Sequence, residues 1–382
     1  MQITHKIEFK PNKIQITQLR QACGCARFAY NWGLTRWQQL YQEHKKDPNK
    51  PKPKALSVKK EFNSIKESSF PWIYDSPKDA NQQAFTNLNN AFSRFFKKLS
   101  KYPRLKKKKT NQSFYISNDK FKISGKILIL PKIGKVKLTE KLRFNGKIMS
   151  ATVSNKADKW FIAITVDTEV KKEKQLINDV VGVDLGLTHF ATLSTGNTFD
   201  SPKALRKNEK KLKRKQRQHS KKVKGSNNRR KSAIKLAKLH YKIVCKRHDF
   251  LHKLSKKICH ENQVICLENL KVQNMLKNHK LAKSISDAGW YEFRRQVQYK
   301  SQIYDNDVVI ADTFYASSKT CSNCGCKKKE LKLSERLFVC DDCNFEIDRD
   351  LNAAINLSRL GHNRIYACGH LTSVNSELEL IS

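Results

Sequence analysis

Four cysteines set the tightest limit on how this 382-residue chain can fold. Cys321 and Cys324 form one Cys-x2-Cys pair, Cys340 and Cys343 form a second, and 15 residues separate the two pairs. Each such turn presents two thiolates to one ion, and two turns close a tetrahedron. Residues 318–345 are therefore expected to form a ribbon around a structural Zn²⁺. A catalytic zinc or a redox pair is the competing reading of the same spacing. Cys326 lies off the pattern and reads as a free thiol. Cys23, Cys25, Cys245, Cys259, Cys266 and Cys368 are scattered, as small buried hydrophobes are. The start, MQITHKIEFK, has no apolar stretch of the secretory kind, so reduced thiols are expected rather than a disulfide framework. No run of about 18 apolar residues is present, and no membrane span is expected.

Charge narrows the partner. The chain carries 77 Lys and Arg against 34 Asp and Glu, a net +43. That excess points to a polyphosphate, bound with a steep salt dependence. A ribosomal-type protein would share the charge but is usually shorter. Length alone suggests two or three domains.

Along the chain, ITHKIEF reads as a strand ending at Pro11, followed by a helix in which Phe28, Trp32 and Leu40 recur near helical spacing. Lys45–Lys54 reads as a linker. Asp79–Leu99 reads as an amphipathic helix with a stripe of Phe85, Leu88, Phe92, Phe95 and Leu99, which is a core face. Its other face bears Asn81, Gln82, Asn87, Asn90, Arg94 and Lys97. Amides of that kind, with Asn31 on the first helix, can read base edges, although a solvated face explains most of them. The basic run Arg104–Lys109 precedes short strands at Phe114–Ile116, Lys126–Leu130, Lys135–Leu138, Ile148–Ser154 and Trp160–Val166, which suggest a small barrel joined by the first strand. Lys171–Lys174 reads as a charged linker. Lys203–Lys231 holds 15 Lys and Arg with a single acid, Glu209, and leads into a periodic helix over Ile234–Ile258. A disordered block is the plain alternative. The continuing periodicity favours two antiparallel helices hinged near Gly225, facing nucleic acid through Lys211, Arg214, Arg229 and Arg230. Arg294 and Arg295, adjacent in a helix over Tyr291–Tyr304, add to that basic surface.

Three acids remain. Asp184 stands alone in the apolar hairpin VVGVDLGLTHFATL, where a charge is costly unless an edge, a cation or a partner relieves it. Glu268 ends the apolar strand VICLENL. Asp350 opens the helix DLNAAINL on the face of Ala353, Ala354 and Leu357. With a short third strand at Asn197–Phe199, the first and fourth strands of this half, those of Asp184 and Glu268, can be sheet neighbours, and the last helix can aim Asp350 at the same point. Three converging carboxylates would need cations between them. Two Mg²⁺ (or Mn²⁺) ions about 4 Å apart would serve, clamping the attacking water and leaving oxygen of a phosphodiester. Asp348 is the rival third acid, with helix capping as its alternative role.

GVDLGLTHFATL, VICLENL and CSNCG…CDDCNFEIDRDLNAAINL resemble the TnpB family, transposon-encoded RNA-guided DNA endonucleases related to type V CRISPR effectors. The resemblance spans nearly the whole chain. It implies a multidomain α+β protein. A β-barrel wedge domain would occupy 1–16 and 101–172, with a helical recognition insertion at 17–100. An RNase H-like α/β RuvC nuclease domain would occupy 173–317 and 346–361, with the basic helical insertion at 202–260. The zinc ribbon at 318–345 and a tail at 362–382 complete the chain. Asp184, Glu268 and Asp350 would be the catalytic acids and Cys321, Cys324, Cys340 and Cys343 the zinc ligands. Arg104 would join the nucleic-acid contacts. The implied partners are a non-coding guide RNA from the transposon end, double- and single-stranded target DNA beside a short adjacent motif, and room for a transposase of the same element. A bacterial or archaeal cytoplasm, at the nucleoid, is the implied setting. A nuclease-inactive repressor, a transposition accessory protein or a strand-joining transposase are the alternatives, and the presence of all three acids disfavours the inactive forms. Asn344 stands where the family usually has Gly. Asn tolerates the left-handed backbone, so the zinc turn is expected to survive.

Overall fold

The computed structural model describes residues 1–108, 112–169, 175–332 and 335–367. The linker expected at Lys171–Lys174 and the tail from residue 368 lie outside them. The chain divides into two compact units, Met1–Glu169 and Val170–Ser382. Among the described residues no helix is long and apolar enough to cross a membrane.

The first unit opens with β1 (Gln2–Lys10) and α1 (Lys13–Lys46). Asn12 starts that helix with a reciprocal cap: its Oδ1 accepts from Gln15 N at 2.8 Å and its own N donates to Gln15 Oε1 at 3.0 Å. Two further helices follow, α2 (Ala55–Ser69), which periodicity did not reveal, and α3 (Lys78–Phe96). Phe85, Leu88 and Phe92 of the expected stripe are buried with Tyr30, Leu34 and Trp37, and Trp37 stacks on Phe92 with ring centres 4.2 Å apart. Gly33 permits the close approach, since a Cβ there would lie 3.0 Å from the Phe85 ring. Leu99 leaves the stripe because the helix stops at Phe96 and Lys98 turns left-handed, at φ 57°.

The strands are β2 (Gln112–Ser117), β3 (Lys122–Ser124), β4 (Ile127–Leu130), β5 (Gly134–Leu138), β6 (Lys147–Lys156) and β7 (Lys159–Asp167). They form one sheet in the order β2-β6-β7-β1-β5-β4-β3. The expected barrel is thus corrected to an open sheet: no ladder joins β2 to β3 among the described residues. The reason lies in β1, which pairs with β7 over residues 2–9 but meets β5 only at Phe9 and Lys10. Instead of closing, the sheet curls around one core, to which α1 adds Leu19, Ala22 and Cys23 and α3 adds Ala80.

The second unit is built on a five-stranded sheet of β8 (Asn178–Asp184), β9 (Ala191–Leu193), β10 (Thr198–Phe199), β11 (Asn262–Leu267) and β12 (Asp307–Ile310), ordered β10-β9-β8-β11-β12. β8 runs antiparallel to β9 and parallel to β11, and β11 runs parallel to β12. The turn between β8 and β9 spans six residues, not a tight pair. Helices α4 (Ala204–Ser220) and α5 (Asn227–Glu261) form the basic hairpin, turning at Gly225 with φ 89° and joined by a small core of Ala204, Leu212, Leu239 and Ile243. Then come α6 (Val272–Met275), α7 (Ala282–Ala288) and α8 (Trp290–Tyr304), the short hairpin β13 (Leu337–Val339) and β14 (Glu346–Asp348), and α9 (Arg349–Ala367). α9 runs on through Gly361 to Ala367, so the first six residues of the expected tail at 362–382 are helix. A Cβ at Gly361 would sit 2.9 Å from Val180 Cγ1, so glycine serves close packing on the sheet, not helix termination.

Candidate active site

Asp184 is the last residue of β8, and Val183 is in register with Leu267 of β11. Glu268 follows Leu267 directly, so the two acids emerge side by side at the carboxyl ends of adjacent parallel strands. α9 brings the third. Ser358 Oγ donates to the Val180 carbonyl at 3.3 Å, Ala354 lies on Gly182, and Asp350 Oδ2 reaches within 3.9 Å of where a Cβ on Gly186 would be. The helix therefore runs antiparallel to β8, and its first turn ends over the acids. Gly182 makes the seating possible: any Cβ there would overlap the Ala354 carbonyl oxygen and come 2.5 Å from the Ser358 nitrogen.

Burial pushes the Asp184 carboxyl well above the usual range, and the charges of Glu268 and Asp350 push it further, with Arg349 opposing. Burial also raises Glu268, against a hydrogen bond from Ser317 Oγ to its Oε1 at 2.5 Å. Such a cluster is poised to take cations. Asp348 behaves otherwise: its Oδ1 accepts from the backbone N–H groups of Asp350 and Leu351, both at 2.9 Å, which is a helix cap.

The four thiols fit zinc directly. Their sulfurs all lie within 4.8 Å of one another, and among the described residues no other group of three or more acid, histidine or thiol ligands is so gathered. Cys321 and Cys343 sulfurs are 3.7 Å apart, Cys324 and Cys340 3.5 Å. A tetrahedron with Zn–S bonds of about 2.3 Å has edges of about 3.8 Å. Asn344 takes φ 56° in the second knuckle, as Gly325 takes 81° in the first.

Sequence reasoning missed the residues that join the two sites. Asn352 Nδ2 donates to the Thr320 carbonyl at 2.8 Å while its Oδ1 accepts from Ser322 N at 2.9 Å. Asn356 Nδ2 donates to the Ser317 carbonyl at 2.9 Å and to that of Thr320 at 2.6 Å. Both asparagines are buried, so α9 grips the first knuckle. Their spacing, four apart on the face of Ala353 and Leu357, was the available signal.

A family model described as "Probable transposase" matches residues 163–279, one for a "Cas12f1-like, TNB domain" matches 290–357, and one for a helix-turn-helix domain matches 1–46. Two relatives carry the name "Putative RNA-guided DNA endonuclease". That of Streptomyces pristinaespiralis is 36% identical, over 93% of this chain and 88% of its own. InsQ of Escherichia coli (strain K12) is 33% identical, over 98% of this chain and 96% of its own. The chain belongs to the TnpB family. The cryo-EM structure of CasPhi-2 (Cas12j) bound to crRNA aligns over 94% of this chain and 98% of that one, at 10% identity and a TM-score of 0.46.

In this TnpB-family chain residues 1–46 fold as a strand and one unbroken helix, not as a helix-turn-helix. Several expected nucleic-acid contacts are otherwise engaged. Asn81 is buried at 3% exposure. Asn31 spends its amide on the backbone of Lys106, donating to its O at 3.0 Å and accepting from its N at 2.8 Å. Arg229 Nη1 donates to the carbonyls of His219, Ser220 and Lys222, closing the hairpin turn. Arg295 pairs with Glu292 at 2.7 Å. Arg294 donates to Asn269 Oδ1 at 2.8 Å. Gln82 is half-buried, and Asn87, Arg104, Lys211, Arg214 and Arg230 are exposed.

Proposed function

We propose that this chain is an RNA-guided DNA endonuclease of a transposable element. In this reading a guide RNA from the transposon end pairs with one strand of a target beside a short adjacent motif. The observation that carries the reading is the meeting of Asp184, Glu268 and Asp350 at one edge of the sheet of a chain whose family is established. Names of relatives support the reaction class, and the charge of +43 supports two polyanionic partners.

Asp184, Glu268 and Asp350 would hold Mg²⁺, and Cys321, Cys324, Cys340 and Cys343 would hold Zn²⁺. Divalent cations bound to such acids activate water and stabilise the leaving oxygen of a phosphodiester. The other tasks fall to the protein. Ser317 orients Glu268, Arg349 tempers the repulsion among the acids, and Asp348 fixes the helix turn that carries Asp350. The exposed cations of α4 and α5, with Arg104, offer phosphate contacts. A transposase of the same element would act beside it, in the cytoplasm of the host.

Replacing Asp184 with Ala tests the assignment. Cutting of a matched target should fall below detection while guide and target binding persist. Unchanged cutting would refute the role. A wild-type complex that holds its target but never nicks it with Mg²⁺ or Mn²⁺ would favour the repressor.

A further inference from the structure

The segment that leaves β12 wraps around Glu268. Ala311 N donates to the Leu267 carbonyl at 2.8 Å, and Ser317 returns to the Glu268 carboxylate. Between them the loop is pinned by side chains, first by Arg364 Nη2, which donates to Asp312 Oδ2 at 2.7 Å. Asn269 Nδ2 donates to Thr313 Oγ1 at 3.3 Å, and Tyr315 OH donates to the Asn356 carbonyl at 3.0 Å. Phe314 stands between these two anchors with 91% of its surface exposed. A benzyl side chain pinned outward into water, three residues from a group that holds a catalytic acid, is not explained by core packing. Its neighbours are cationic. Lys271 Nζ lies 5.7 Å from the Phe314 ring centre, and the Asn269 amide that holds Thr313 also accepts from Arg294. An aromatic face flanked by cations is what an unpaired nucleotide requires: a surface for the base and charge for the phosphates on either side.

We propose that Phe314 is the stacking platform for one unpaired base of the strand being cut, with Lys271 engaging an adjoining phosphate. The inference rests on the endonuclease reading for the identity of the strand. It is a positioning role: the ring holds the nucleotide next to the scissile phosphate, so that the phosphate is presented to Asp184, Glu268 and Asp350. Because every base has a π-face, the platform would favour single strands over duplex without favouring a sequence.

The test uses the full chain with its guide RNA and matched target. Phe314→Ala should slow single-turnover cutting about ten-fold, the size of a lost base stack, while target binding is unchanged, and Phe314→Trp should restore the rate. A single abasic site, scanned through the strand near the cut, should slow the wild type by a similar factor at one position and slow Phe314→Ala no further there. A second readout needs no cutting: wild-type protein should quench a single-stranded oligonucleotide carrying 2-aminopurine, and Phe314→Ala should not. Loss of that quench in a chain that never cuts would sustain the platform and sink the endonuclease reading. Equal cutting and equal quench by Phe314→Ala would overturn the platform. So would unchanged cutting with a fall in molecular mass, which would make the ring a contact between two copies of the chain.

Discussion

Two clusters in the second unit gather ligands that repel one another, and they differ in how the chain assembles them. The four thiols come from 23 consecutive positions, 321–343, on two turns whose local backbone already points the sulfurs inward. The three carboxylates come from positions 184, 268 and 350, on two strands and a helix that only the finished sheet brings together. The local cluster rests on its two turns with no sheet behind it, so its metal should matter most to its stability. A scaffolded cluster exists before its metal arrives, held by packing that offsets the repulsion. Asn352 and Asn356 tie the two together, so the zinc turn also steadies the helix that carries Asp350.

The largest effect should follow from Cys340→Ser. Structural zinc is worth about 10–16 kcal/mol in isolated fingers. Elemental analysis should show one zinc per chain falling toward none, and limited proteolysis should open the chain within 318–345. Cutting should fall too, through the asparagine ties. A variant that loses zinc and cuts normally would separate the two clusters. Next in size is Gly182→Ala, which forces α9 off the sheet. We expect a loss of about 3 kcal/mol in thermal unfolding, with cutting lost in parallel. Intact stability would show that the helix seats elsewhere. The smallest effect should be that of Asp348→Ala, which removes a helix cap worth about 1 kcal/mol and leaves cutting within a few-fold. Asp350→Ala should abolish cutting with little change in folding, and the reverse pattern would exchange the roles of the two acids.

The contrast also explains what was legible. The cysteine spacing and the lone acids in apolar strands could be read because each breaks a local rule of composition. The basic hairpin could be read because its charge and its period agree. The open sheet could not, because closure depends on whether β2 pairs with β3, and no residue marks that pairing. The tail expected from residue 362 begins too early for a related reason: a glycine such as Gly361 that ends a helix and one that lets a helix touch a strand look alike until the strand is present. The amides of Asn31 and Asn81 look like base readers in sequence, but polar groups at packed positions are first spent on the protein itself. Ser317, lying between the second strand-end acid and the first knuckle, carries no signal of its own.

The central claim is that the acids at 184, 268 and 350 share divalent ions at the carboxyl edge of the sheet. Crystals of the chain with guide RNA and uncut target, soaked in Mn²⁺, would test it by anomalous scattering. The account predicts two manganese peaks about 4 Å apart bounded by those carboxylates, in addition to zinc at the four sulfurs. Zinc alone, or manganese bound away from all three acids, would contradict it.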